Sequence, residues 1–149
     1  MKAILSAPTA RALIAAFALA SLSACTILPR YEAPPAGPET ASIDMSRFSV
    51  VSLCHQGKAY SVPKTPDGKV IVTTEGRVSV TGIAQFMGFN VIYTCTPSIS
   101  FRPEAGQTYF MNLRALSQGC EMEVYRLDPS EPRVGLATVD DIGAGGRCE

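Results

Sequence analysis

The chain has 149 residues with 13 basic and 13 acidic side chains, one histidine and no tryptophan. A formal net charge of zero argues against the basic surface that binds nucleic acid or anionic lipid. The length is sufficient for one domain.

The amino terminus has the layout of an export signal. Lys2 and Arg11 supply positive charge, residues 12–22 are almost wholly apolar, and the first acidic residue is Glu32. An apolar run this short cannot cross a bilayer core as a helix, which takes about 20 residues. We therefore predict a cleaved signal peptide over residues 1–24.

The four residues that follow the apolar run, LSAC, resemble the lipobox of bacterial lipoprotein precursors. Leu22 is the aliphatic residue, Ser23 and Ala24 are the small ones, and Cys25 is the cysteine. The resemblance implies cleavage before Cys25 and acylation of that cysteine, so that membrane lipid is an expected partner. Two or more acyl chains suffice for stable attachment. An ordinary secretory signal, with Cys25 in a disulfide, is the alternative.

The residue after the cysteine bears on location. In many Gram-negative lipoproteins an Asp there causes retention in the inner membrane, and here the residue is Thr26. The resemblance thus implies an outer-membrane protein whose domain faces the periplasm. Loss of residues 1–24 removes two basic side chains, which leaves a formal charge of −2 and again predicts no nucleic-acid partner.

Residues 25–44 are predicted to form the lipidated cysteine and a proline-rich tether. Proline fixes φ and removes a backbone donor, so this stretch is expected to stay outside any sheet or helix. The prolines in it are Pro29, Pro34, Pro35 and Pro38. A proline-rich recognition motif is the alternative interpretation.

Residues 45–149 alternate with period two, which is typical of strands. In TYFMNLRA the residues Tyr109, Met111 and Leu113 share one face, and in CEMEVYRL the residues Met122 and Val124 do. Short strands separated by turn residues predict an all-β fold, a small antiparallel β-sandwich of immunoglobulin-like or transthyretin-like type; an open barrel is the alternative. TGIAQFMGF, residues 81–89, is left open as a helical turn or a crossing loop.

Four further cysteines, in an exported protein, predict two disulfides. Three connectivities are possible. We favour Cys95–Cys120, because one ends a predicted strand and the other starts one, and Cys54–Cys148, which would fasten the carboxyl end to the first strand.

One segment is similar to a pattern of small Gram-negative lipoproteins. The pattern is a cysteine, F-x-P-x-x-G-x-x-Y, and a second cysteine that opens the next strand; here these are Cys95, Phe101, Pro103, Gly106, Tyr109 and Cys120. The resemblance implies a β-sandwich with a disulfide and brings no activity with it.

Catalytic and metal-binding residues are not evident. The sole histidine, His55, adjoins Cys54, but neighbours on a strand point to opposite faces, so we expect a surface or strand-edge histidine and no Cys–His dyad. Asp140 and Asp141 are expected to be solvated, and GAGG, residues 143–146, to be a flexible lead into Cys148. No metal and no cofactor are predicted.

Binding by stacking on aromatic rings has few candidates. The tyrosines considered are Tyr60, Tyr93 and Tyr125, of which Tyr125 is expected to be the best exposed. By elimination the sequence predicts a non-enzymatic, lipid-anchored structural or protein-interaction module with an envelope protein as its partner. The alternatives are an accessory lipoprotein of a secretion system, since a transthyretin-like lipoprotein belongs to the type VI secretion system, and a small periplasmic hydrolase or an inhibitor of one.

Overall fold

The computed structural model describes residues 27–117, 119–130, 135–146 and 148. Within this part of the chain the regular elements are eleven β-strands. In chain order they are β1 (Thr40–Asp44), β2 (Val50–His55), β3 (Lys58–Val62), β4 (Lys69–Thr73), β5 (Val78–Gly88), β6 (Val91–Cys95), β7 (Ser98–Phe101), β8 (Thr108–Leu116), β9 (Gly119–Leu127), β10 (Leu136–Thr138) and β11 (Ile142–Ala144). None of the described residues forms a helix that could cross a membrane.

The strands form two sheets that pack face to face. One sheet has the order β10-β9-β8-β1-β4, and the other has the order β11-β7-β5-β2-β3, with β6 also paired to β5. The largest fully buried side chains between them are Tyr109, Phe101, Ile43, Leu53, Val72, Val78 and Val80. The predicted β-sandwich is therefore confirmed.

The sandwich departs from a purely antiparallel arrangement at one pair of strands. β1 runs parallel to β8, with Ile43 opposite Tyr109, and antiparallel to β4 on its other side. Each other named pair is antiparallel. β1 thus lies between β4 and β8, and those two strands run in opposite directions.

The alternation of apolar and polar residues correctly predicted which side chains of β8 and β9 face the core. Tyr109 and Met111 are buried, and so are Met122 and Val124 on the neighbouring strand. The Tyr109 ring lies 4.9 Å from that of Phe101, centroid to centroid, and its hydroxyl accepts a hydrogen bond from the Glu104 amide at 2.9 Å. The tyrosine thus fills the core while its polar atom keeps a partner.

The two disulfides are Cys54–Cys148 and Cys95–Cys120, as predicted, with Cα–Cα distances of 5.3 and 6.3 Å. The first joins β2 to the carboxyl-terminal segment. The second joins β6, in one sheet, to β9 in the other, so that it links the two layers directly.

The predicted tether is wrong for much of its length. Arg30 forms a parallel bridge with Ser61 of β3, Tyr31 is buried, and the strand β1 begins at Thr40. The prolines break regular pairing, but Tyr31 and the alternating Ala41 and Ile43 supply apolar side chains that the core accepts. The sheet therefore starts before residue 45, and residues 32–39 connect the two sheets over the surface.

Two other segments were predicted differently. Of residues 81–89, all but the last belong to the long strand β5 and not to a helical turn, and Lys58–Val62 forms a strand that was not predicted at all. GAGG is partly strand, because β11 covers Ile142–Ala144. After the end of β11, the Gly146 amide donates a hydrogen bond to the Ser79 hydroxyl at 2.9 Å.

Candidate functional site: a projecting apolar hairpin

The strand β5 is longer than the sheet that contains it. Residues Val78 to Ile83 pair with β2, and Val78 to Thr81 also pair with β7. From Ala84 to Gly88 the strand continues beyond β2 and pairs only with β6. The result is a two-stranded hairpin, residues 84–95, which we call the arm.

The sequence explains the turn at the end of the arm. Gly88 pairs with Val91, and the two residues between them are Phe89 and Asn90. Asn90 has φ of 57°, a left-handed conformation that asparagine tolerates better than most residues. A Cβ at position 88 would lie 2.8 Å from Cε2 of Tyr93, so glycine is what lets this ring lie across the partner strand.

The arm exposes large apolar side chains. Relative exposure is 89% for Met87, 95% for Phe89, 64% for Ile92 and 60% for Tyr93, and Val91 is half exposed. Met87 and Ile92 are paired across the hairpin and share one face, whereas Val91 and Tyr93 lie on the other, so that each face of the arm has an exposed apolar patch. Such a patch is typical of an interaction surface.

The arm also lacks charge. From Val78 to Phe101 the sequence contains no Asp, Glu, Lys or Arg. The hairpin of β8 and β9 differs, because there Arg114 pairs with Glu121 and lies 3.1 Å from Glu123. Charged side chains of this kind keep exposed strands from associating, and the arm has none.

The base of the arm is braced. Ala84 is buried, Phe86 packs partly against the core, and Cys95 is disulfide-bonded to β9. The outer part of the arm therefore projects from a covalently fixed base.

His55 is not at the surface, which corrects the sequence-based expectation. It is 6% exposed, and its Nε2 lies 2.7 Å from the Thr73 hydroxyl, while its Nδ1 has no hydrogen-bond partner among the described residues. Burial lowers the pKa of His55, and the carboxylate of Glu75 opposes that effect in part. Cys54 points to the other face and is oxidised, so the two side chains form no dyad.

The tyrosines also differ from expectation. Tyr125, predicted to be the best exposed, is half-buried and donates a hydrogen bond to Glu123 at 3.0 Å, which raises its pKa. Tyr60 packs edge-to-face on Tyr31 with centroids 5.4 Å apart. Tyr93, in the arm, is the exposed one. The sequence feature that could have indicated this exposed tyrosine is the absence of charged residues around it.

Of the remaining polar candidates, Asp141 is paired with a basic side chain. Asp141 is 2.6 Å from Arg77, whose hydrogen bond lowers the pKa of that carboxyl. An open groove of about 860 Å³ adjoins this pair, and within it Gln56 donates to Glu75 at 2.9 Å. Across the described ranges, no three histidine, cysteine or acidic side chains come together as metal ligands. Cys25, the predicted lipidation site, lies outside the residues that the structure describes.

Comparisons with known proteins identify no relative. No protein-family model, no curated protein and no solved structure matches the chain.

Proposed function

We propose that this protein is a non-enzymatic, lipid-anchored envelope protein that binds another protein through the arm. The anchor is acylated Cys25 in the outer membrane, and the domain faces the periplasm. The observation that carries the binding role is the exposed, uncharged surface of Met87, Phe89 and Ile92 at the end of a braced hairpin.

The arm has the properties of a binding surface. Interface cores are rich in aromatic residues and methionine and poor in charge. Phe89 and Tyr93 supply large apolar contact surfaces, and Met87 adapts its shape readily. A fixed base limits the conformational entropy that the arm loses on binding.

The path of the described chain supports a separation between the arm and the proposed anchor. The bridge between Arg30 and Ser61 is parallel, so the chain before Arg30 leads toward the end of the sheet where His55 pairs with Val78. The arm leaves from the other end, and Gly88 is ten residues beyond Val78, roughly 33 Å along the strand. The anchoring bilayer is therefore an unfavourable partner for the arm.

Localisation tests the anchor. The substitution Cys25→Ser should release the protein from the outer-membrane fraction while its domain stays folded, because the two disulfides of the domain use the other four cysteines. Fractionation and circular dichroism measure the two results. If the variant stayed in the outer membrane, the lipid anchor would be wrong.

Photo-crosslinking tests the arm. A photoreactive amino acid in place of Phe89 should crosslink a protein in intact cells. The control replaces Ile142, which is 48% exposed and lies at the opposite end of the sandwich. Crosslinking at position 89 well above that at position 142 is the expected result; equal or absent crosslinking would count against binding by the arm.

A further inference from the structure

The strand β6 has a free edge. One of its edges pairs with β5 along all five residues, and within the described residues no strand pairs with the other. The first four residues of β6, Val91 to Thr94, are exposed. A two-stranded ribbon is marginally stable in water, and a third strand is the usual remedy. The arm therefore has a position for an added strand.

The composition of β6 favours that addition. Its sequence, VIYTC, contains only residues that suit a strand or tolerate one, and neither proline nor charge blocks its edge. The free edge of β5 in the arm is less suitable, because Gly88 lies on it and glycine weakens a strand. The β6 edge is thus the preferred place for pairing.

A second copy of the chain supplies a strand that can pair with the free edge of β6. The partner strand has to be uncharged, apolar on both faces and free at its own edge, and β6 meets each of these requirements. No like charges would oppose one another, since none occurs between Val78 and Phe101. An antiparallel pair of identical strands is self-complementary, as a two-fold symmetric interface has to be.

We propose that the arm joins two copies of this chain through antiparallel pairing of β6 with β6. This pairing rests on the proposed function of the arm, and it identifies the bound protein as a second copy of the chain. Centring the pair on Tyr93 places that residue opposite its symmetry mate, with Ile92 opposite Thr94 and Val91 opposite Cys95. The arms then form one four-stranded sheet in the order β5-β6-β6-β5.

The arrangement has a geometric signature. Directly opposite residues in an antiparallel pair have Cα atoms about 4.5–5.5 Å apart, which is within the range that a disulfide bridges. Met87 lies on β5, so its symmetry mate is three strand spacings away, roughly 14 Å. Position 93 should therefore crosslink to itself and position 87 should not.

The experiment compares Tyr93→Cys with Met87→Cys in the full chain, exported to the periplasm and separated on non-reducing gels. Met87 is the more exposed of the two, 89% against 60%, so random collision would favour its crosslinking. We expect at least ten times more covalent dimer for Tyr93→Cys. Equal dimer from both variants, or none from either, would overturn the proposal.

A second measurement does not depend on the Tyr93 ring. Light scattering on the detergent-extracted chain, corrected for detergent, should give the mass of a dimer, and Ile92→Asp should give that of a monomer because it places two charges in the interface. A monomeric unaltered chain would contradict the proposal. If position 89 then still crosslinked a different protein, the binding role would stand with another partner; if it crosslinked nothing, both would fail.

Discussion

His55 and Thr73 lie in different sheets, and the 2.7 Å hydrogen bond between Nε2 and Oγ1 joins the two layers across one end of the core. Nδ1 is buried and has no hydrogen-bond partner in the described part of the chain, so the neutral ring with its proton on Nε2 fits the site best. Protonation would add a buried charge and an unpaired donor.

This histidine should make the fold acid-sensitive. Because burial lowers the pKa of His55, the unfolded chain binds the proton more readily than the folded one. The contribution of His55 to the free energy of unfolding is therefore fully present above the ordinary histidine pKa of about 6.5. It is lost as the pH drops from there toward the lower pKa that His55 has in the folded protein. Urea midpoints at pH 7.5 and 5.5 measure the loss.

The matched control is His55→Gln, which retains an amide to pair with Thr73 and cannot titrate. Since His55 is the only histidine, this variant should show a nearly flat midpoint across the same range. An equally large drop in the variant would assign the acid sensitivity to other groups.

The two disulfides should contribute unequally. Their sequence separations are 94 residues for Cys54–Cys148 and 25 for Cys95–Cys120. In the chain-entropy model, loops of those sizes contribute about 4.7 and about 3.5 kcal/mol to the free energy of unfolding. We expect the serine pair at positions 54 and 148 to lower that free energy more than the pair at positions 95 and 120. Chemical denaturation measures both, and the reverse order would contradict the model.

Gly82 should not tolerate a side chain. The ring of buried Phe48 lies directly over it, so a Cβ at position 82 would overlap Cδ1 of that ring. Gly82→Ala should lower the free energy of unfolding by about 1–3 kcal/mol, the usual cost of overpacking. The control is Gly37→Ala, where the nearest atom would be 4.0 Å away. Similar melting temperatures for the two variants would show that the Phe48 ring moves aside.

Phe89 should matter for binding and not for folding. At 95% exposed it buries almost nothing in the monomer, so Phe89→Ser should change the free energy of unfolding by no more than about 0.5 kcal/mol. Crosslinking from a photoreactive residue at position 92 should nevertheless fall in the same variant. A large loss of stability would instead mean that the tip packs against the domain.

Sequence reasoning located the strands where one face is apolar and the other polar. β8 and β9 have that pattern, and so the buried side of each, including Tyr109 and Val124, was predicted correctly. Residues 81–89 lack it, because Phe86 and Met87 occupy opposite faces of a strand that leaves the sheet. Periodicity cannot identify a strand that has no polar side.

The position of His55 shows a different limit. Strand geometry correctly separated it from Cys54, but it does not say which face is inward. The inward face of the strand depends on where the second sheet lies. In that sheet, the position of β4, which contains Thr73, is fixed by its long-range pairing with β1. Tyr93 and Tyr125 were misjudged for the same reason.

The contact of residues 29–31 with β3 limits how far the domain can travel. The Ser61 amide donates to the Pro29 carbonyl and the Tyr31 amide to the Ser61 carbonyl, each at 2.8 Å. If Cys25 carries lipid, Pro29 lies four positions after it in the chain, and an extended chain of that length spans about 14 Å. The domain would then lie close to the lipid headgroups. A partner that binds the arm would have to come near the membrane, because so short a linker does not let the domain extend across the periplasm.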